Sequence, residues 1–358
     1  MKFYIVVTDA EITKEKQKTI MALLELTPNG IYCKQGDFYI DPWKPVHKAI
    51  ITHAHSDHAK AGHQTYLCHP LTKVLLEVRL GKYNYQSINW KEQIYINGVK
   101  ISLHPAGHVI GSSQVKVEYK GEVWVASGDY KTQDDGLSGV FEPIKCHTFI
   151  TESTFGLPVY QWKSQEEQYK EIQNWIQHNQ ENAKHSVLYA YSLGKAQRIA
   201  QAVADVSSDI YVHGSVWNIH QALTEVGNPL PEVKRMNLEN KKKLSKNSVI
   251  IAPVSAANTP WINQMGPYKS AFCSGWMHIR GQAKRNPADY GFAISDHADW
   301  NGLLEAIKTT EAEKVLVTHG FTSILSRYLN ENGIHSEKLQ TQFGEEEIYT
   351  NENTESYE

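Results

Sequence analysis

The chain has 358 residues, long enough for two domains, and its 41% hydrophobic and 21% charged residues are ordinary globular proportions that exclude a disordered or fibrous protein. Lys and Arg number 36 against 39 Asp and Glu, and the resulting net charge of −3 calls for no polyanionic partner at the level of the whole chain. The count that stands out is 17 histidines, because histidine is the commonest metal ligand.

In chain order, residues 22–150 alternate short β-type runs with Gly, Asp and Pro punctuation. Phe38–Ile40, Lys48–Thr52, Lys100–His104, Gln114–Tyr119 and Val123–Ala126 read as strands, with one short helix at Thr72–Arg79. From about Ser164 the pattern turns to strand–helix alternation. Gln165–Asn179 places Tyr169, Ile172, Trp175 and Ile176 on one face of a helix. Strand Ser186–Tyr191 leads through Gly194 into a helix at Ala196–Val206, and Ile210–Val212 and Val249–Ala252 are further strands. A strand at Phe292–Ile294, a helix at Asn301–Lys308 and a strand at Lys314–Thr318 follow. Such alternation predicts an α/β middle part on a mostly parallel sheet.

Cys33, Cys68, Cys146 and Cys273 lie far apart and form no C-x-x-C pair, so the expectation is reduced, buried thiols rather than a zinc knuckle or a disulfide framework. No run approaches the ~20 apolar residues of a membrane span, and Asp9 and Glu11 interrupt the apolar start too early for a signal peptide. A soluble cytoplasmic protein without a membrane partner is expected. Charge is uneven along the chain: +1 over residues 1–160, +5 over 161–290 and −9 over 291–358.

The densest chemical signal is Thr52-His53-Ala54-His55-Ser56-Asp57-His58, which follows the apolar run Ala49–Ile51 and so opens a loop at a strand's end. His53 and His55 can converge on one ion from a tight turn, while Asp57 and His58 can face a second. Imidazole and carboxylate are what zinc takes when no thiolate is offered.

This His-x-His-x-Asp-His string resembles the signature of the metallo-β-lactamase superfamily, and its later motifs are matched in order. His108 in Ala106-Gly107-His108 looks like the third-motif ligand, Asp129 in Ser127-Gly128-Asp129 like the bridging carboxylate, and Asp41 in Ile40-Asp41-Pro42 like the aspartate that holds the histidine loop. Glu152 in Thr151-Glu152-Ser153, His297 in Asp296-His297-Ala298 and His319 in Thr318-His319-Gly320 resemble motifs A, B and C of the β-CASP nucleases. Gly194-Lys195-Ala196-Gln197 is similar to a further element of that group. Gly36–Trp43 and Cys273-Ser274-Gly275-Trp276 look most like the bacterial ligase-associated DNA exonuclease family.

The resemblance implies a four-layer αββα metallo-β-lactamase fold over 22–163 and 287–345, with an α/β β-CASP domain inserted at 164–286. Residues 1–21 would be an appendage, or Met21 the true start, and 346–358 an acidic tail. It implies two zinc ions, with manganese the alternative metal. His53, His55 and His108 would hold the first, Asp57, His58 and His319 the second, and Asp129 would bridge them. With Asp57 and Asp129, His297 would carry the catalysis as general acid, its tautomer fixed by Glu152.

The implied activity is hydrolysis of nucleic-acid phosphodiesters, most specifically exonucleolytic trimming of DNA ends before ligation in repair, with a DNA ligase as the implied partner. RNA processing is the first alternative, since RNA-processing members carry a histidine at the position of His319. A small-molecule hydrolase needs neither the insert nor His297, and a non-catalytic scaffold would be expected to lose ligands. Phosphate contacts are expected at Gly194, Lys195 and Arg198, where a strand runs into a helix start, and at Ser274 and Arg280. Lys241–Lys243 and Lys246 extend that basic face or form a solvated helix end, and Trp43, Phe155 and Trp276 stack on bases or belong to the core.

Overall fold

The computed structural model describes residues 22–237, 244–245, 247–263, 265–279 and 288–340. The expected appendage at 1–21, the acidic tail at 346–358, Lys241–Lys243, Lys246 and Arg280 lie outside the described residues.

Six short strands build a first sheet in sequential order: β1 (Glu25–Thr27), β2 (Gly30–Cys33), β3 (Phe38–Ile40), β4 (Lys48–Ile50), β5 (Thr65–Cys68) and β6 (Tyr85–Ser87). The first pairings are antiparallel, and from β3 onward they are parallel. Helix α1 (Pro70–Leu80) crosses between β5 and β6; His69 caps its N-terminus and proline opens its first turn. Strands β7 (Gln93–Ile96), β8 (Val99–Pro105), β9 (Ser113–Tyr119), β10 (Glu122–Ala126) and β11 (Thr148–Ser153) start a second sheet.

The chain then leaves for a third sheet. Helix α2 (Gln165–Glu181) starts at a capping box in which Ser164 and Glu167 satisfy each other's backbone N–H groups, and it buries Ile172 and Ile176. After it come β12 (His185–Tyr189), α3 (Lys195–Ala204), β13 (Ile210–Val212), α4 (Gly214–Glu225), β14 (Lys234–Arg235), β15 (Val249–Ala252), the one-turn α5 (Pro260–Asn263), β16 (Tyr268–Cys273) and β17 (Tyr290–Phe292). All pairings in this sheet are parallel, in the order β14-β13-β15-β12-β16-β17. Central β12 and β15 are buried along their whole length, as a parallel strand covered on both faces must be. The chain returns through α6 (Trp300–Thr309), β18 (Lys314–Gly320), α7 (Thr322–Glu331) and β19 (Ser336–Lys338), and the last two strands pair beside β11.

Packing makes this an α/β metallo-β-lactamase-like fold. Phe38, Ile40 and Ile50 of the first sheet meet Ile101, Val115, Val117 and Ile150 of the second in one buried cluster. Outside the first sheet lie α1 and, from the third-sheet region, Ile219 and Leu223 of α4. Outside the second lie α6 and α7, through Leu303, Ile307, Leu325 and Leu329 packed on Phe149, Val315 and Val317. The order is helix, sheet, sheet, helix. All four cysteines are buried free thiols.

Two differences from the sequence reading have local causes. The strand expected at Phe292–Ile294 ends at Phe292, because the Ile294 N–H folds back onto the Phe292 carbonyl at 3.0 Å. The third sheet therefore takes its last strand from beyond position 286. Helices α4 and α7 were not expected, since α4 is capped by His213 and α7 has no side-chain cap, so neither carries the usual Ser, Thr, Asp or Asn start signal.

Candidate metal centre and active site

The site lies where β4, β8, β10, β11 and β18 end. Past Ile50 the chain bends at Thr52, whose N–H and hydroxyl donate to the two carboxylate oxygens of Asp41 at 2.8 and 2.6 Å. Asp41 Oδ2 also accepts from His58 Nδ1 at 2.7 Å, so one carboxylate ties down both ends of the histidine loop. Gly128 packs against Thr52 so closely that a Cβ there would stand 2.7 Å from its side chain, which admits Asp129 to the centre.

The outward hydrogen bonds of the imidazoles decide where their lone pairs point. Thr52 Oγ1 gives its proton to Asp41 and therefore accepts from His53 Nδ1, at 3.1 Å. His108 Nδ1 donates to the Asp296 carbonyl at 2.9 Å, and His55 Nε2 donates to the Leu193 carbonyl at 3.2 Å. Each neutral ring has then used its only proton. The remaining nitrogens, His53 Nε2, His55 Nδ1 and His108 Nε2, converge at 3.0–3.1 Å, and in neutral rings each would carry a lone pair. Burial presses His53 and His108 far below the ordinary imidazole range, which keeps them neutral. Three lone pairs aimed at one point fit a cation.

A second group adjoins it. With Nδ1 committed to Asp41, the buried Nε2 of His58 faces Asp129 Oδ2 at 3.3 Å and Asp57 Oδ2 at 3.5 Å. The same Asp129 oxygen is 3.7 Å from His53 Nε2 and 3.8 Å from His108 Nε2, so it stands between the two groups. His53, His55, His108 and Asp129 bring ligand atoms within 4.8 Å of one another, as do His53, Asp57 and His58, and also Asp129, Glu152 and His297. His319 stands outside these groups. Its ring stacks on His58 at 5.1 Å between centroids, and it lines one recess with Asp57, His58, Asp41 and Trp43. The strand carrying His319 slips register against β11 just before it, and His319 takes a left-handed φ of 51°. A bulge of this kind re-aims a side chain beside a site.

Glu152 is 1% exposed and accepts the Tyr130 N–H at 2.7 Å and His297 Nδ1 at 2.9 Å. Burial works to lower the His297 pKa, but the Glu152 charge and hydrogen bond outweigh it and raise it to about 9. His297 therefore holds a proton at neutral pH. Its ring packs 4.5 Å from that of His108, and its side chain keeps 20% exposure.

The expected phosphate contacts need correction. Arg198 is 1% exposed, and its guanidinium is committed to Ser295, Asp296, Gln165 and Gln168. Lys195 is 4% exposed and faces Asp296 at 3.7 Å. The Gly194 N–H is already taken by Gln197 Oε1 at 2.7 Å. Ser274 is fully buried and caps the short turn after β16. Arg198, Gly194 and Ser274 thus already have partners within the chain, and Lys195 is buried against Asp296. Phe155 and Trp276 are buried in an aromatic cluster with Tyr160, so they belong to the core. Thr52, Asp296 and the Leu193 carbonyl were missed by the sequence reading. The two side chains stand next to motif histidines, which was the available signal.

No family model matches this chain. Curated relatives do. It is 26% identical over 313 residues to a protein of Opitutus terrae named "Probable DNA ligase", covering 86% of this chain and 30% of that one. It is 23% identical over 359 residues to an "RNase J-like protein" of Methanocaldococcus jannaschii, covering 77% and 82%. It is 22% identical over 318 residues to the human "DNA cross-link repair 1A protein", covering 81% and 30%. These similarities fit the β-CASP group of the metallo-β-lactamase superfamily. The chain spans 15–30% of the first curated relatives it matches. A crystal structure of a protein of unknown function from Enterococcus faecalis shares the fold, with TM-score 0.56 and 12% identity over 85% of this chain and 81% of that one. Among the described residues no helix is long and apolar enough to cross a membrane.

Proposed function

We propose that this chain is a zinc-dependent phosphodiester hydrolase that trims DNA ends, acting in the cytoplasm beside a DNA ligase. The observation that carries the reading is the placement of His297, hydrogen-bonded to Glu152, against a cluster of inward-turned imidazoles and carboxylates. The likeness to the ligase-named Opitutus protein supports DNA ends as the substrate. In this reading the inserted unit spans 164–286 together with β17.

His53, His55, His108 and Asp129 would hold one zinc, with manganese the alternative metal, and Asp57, His58, His319 and the shared Asp129 a second. Bound there, the ions supply positive charge for the phosphoryl oxygens and lower the pKa of a water. Asp41 and Thr52 orient His58 and His53. His297 donates its proton to the leaving oxygen, and Glu152 keeps that proton-bearing tautomer in place. RNA is the second reading, favoured by the presence of His319 and by the RNase J-like relative, which is matched over most of both lengths.

The test is digestion of matched 5′- and 3′-labelled DNA and RNA, single- and double-stranded, with and without a chelator. Chelator-sensitive release of mononucleotides from DNA ends is expected. Cleavage of RNA alone would move the assignment to the second reading, and chelator-insensitive cleavage would end the metal-dependent one.

A further inference from the structure

The inserted unit reaches the histidine cluster through a single turn. The Leu193 carbonyl accepts the Nε2 proton of His55 at 3.2 Å. Next to it, Gly194 has no room for a side chain: a Cβ would stand 2.2 Å from Cγ1 of Val109, the residue after His108. One helical turn on, Arg198 Nη1 donates to the Ser295 carbonyl at 2.5 Å and to Asp296 Oδ1 at 3.4 Å. Its Nε and Nη2 reach Gln165 and Gln168 of α2, at 3.2 and 3.4 Å, which hold the fork from behind. Lys195 sits on the other Asp296 oxygen at 3.7 Å. The carbonyl of this same Asp296 accepts the Nδ1 proton of His108, at 2.9 Å.

Two of the three converging imidazoles thus have their outward proton held by a carbonyl whose place depends on the insert. Asp296, Lys195 and Arg198 are each more than nine-tenths buried. A buried charge network of this kind is a weak source of net stability, but it specifies one geometry. Partners that hold a ligating histidine's other nitrogen set its tautomer and its affinity for metal.

We propose that Arg198, with Lys195, is a positioning residue of the first metal site, through which the inserted unit sets the orientation of His108. The proposal rests on reading His53, His55 and His108 as metal ligands. It predicts an asymmetry that a merely structural role would not produce. Loss of Arg198 weakens the site that contains His108 and spares the site that contains His58, whose own anchor is Asp41 on the opposite side.

The experiment is zinc titration of the full-length chain against a chromogenic chelator, alongside thermal unfolding, for wild type, Arg198→Met, Arg198→Lys and Asp296→Asn. Two ions are expected on the wild type. Arg198→Met should weaken one of them by ~10–100-fold and leave the other unchanged, with partial recovery in Arg198→Lys. If Arg198→Met fails to fold, Asp296→Asn, which keeps shape and carbonyl but loses both ion pairs, should show the same split. Unchanged affinity at both sites, or equal weakening of both, in a folded variant overturns the proposal alone. A wild-type chain that holds no zinc overturns the metal-site reading and the proposal with it.

Discussion

His297 Nδ1 lies 2.9 Å from Glu152 Oε2, although 145 positions separate the two residues. Glu152 comes from the fully buried strand β11, and His297 from the loop that follows β17. The carboxylate is pinned from the other side by the Tyr130 N–H, one residue past Asp129. His297 is also held by its own main chain, since Trp162 Nε1 donates to its carbonyl at 3.0 Å. The pair is therefore built into the junction between the second and third sheets, next to Asp129.

The first prediction follows from that junction. His297→Ala removes the proton donor and leaves the imidazole and carboxylate cluster intact, so turnover should fall ~10²–10⁴-fold at unchanged zinc content. Glu152→Gln keeps a hydrogen-bond acceptor for His297 but loses the charge, and its turnover should lie between the two. Single-turnover assays paired with metal analysis on the same samples decide this. Zinc lost from the His297→Ala protein would make His297 a ligand rather than an acid.

The chemistry-bearing residues of this site were legible because they sit in short strings at strand ends. Thr52 to His58 places four ligand-type side chains in one loop, and the apolar run before it announces the strand. What was not legible is which polar groups face inward. Lys195 and Arg198 look like phosphate contacts at a helix start, but the helix turns both toward Asp296, a residue about a hundred positions later. No spacing rule reports a pairing across that distance. The strand register at His319 was equally hidden, since a bulge against Ser153 leaves no compositional mark. Helices α4 and α7 were overlooked for a simpler reason: their first turns carry histidine and phenylalanine where capping residues are expected.

Asp41 supports the second prediction. It accepts from the Thr52 N–H, the Thr52 hydroxyl and His58 Nδ1, and its own φ of 42° is an unusual backbone conformation for a non-glycine residue. Asp41→Ala leaves the Thr52 N–H without its acceptor and frees the His58 ring to rotate. Zinc affinity at the site containing His58 should fall ~10–100-fold. Stability should drop by about 1–3 kcal/mol from the orphaned donors. Chelator competition and denaturant unfolding measure the two effects separately. An affinity loss confined to the site containing His108 would show that Asp41 acts through Thr52 and His53 and not through His58.

The third prediction concerns acid stability and lies away from the metal centre. His69 stacks on Trp90 at 4.3 Å between centroids and caps α1 by accepting the Leu71 N–H on Nδ1 at 3.3 Å. That cap exists only while Nδ1 carries a lone pair, and burial lowers the His69 pKa to about 4. In the unfolded chain the imidazole titrates near ~6.5. Between those values the unfolded state binds a proton that the folded state refuses, so acid favours unfolding. The contribution of His69 to stability is complete above pH ~6.5 and is lost progressively as pH falls toward about 4. His69→Asn keeps an N-cap acceptor and removes the titration. Urea unfolding of both proteins from pH 7.5 to 4.5 should give a shallower decline for the Asn variant, with the stability difference moving in favour of the Asn variant toward the acid end. Parallel curves across that range would show that His69 is not the group that couples α1 to pH.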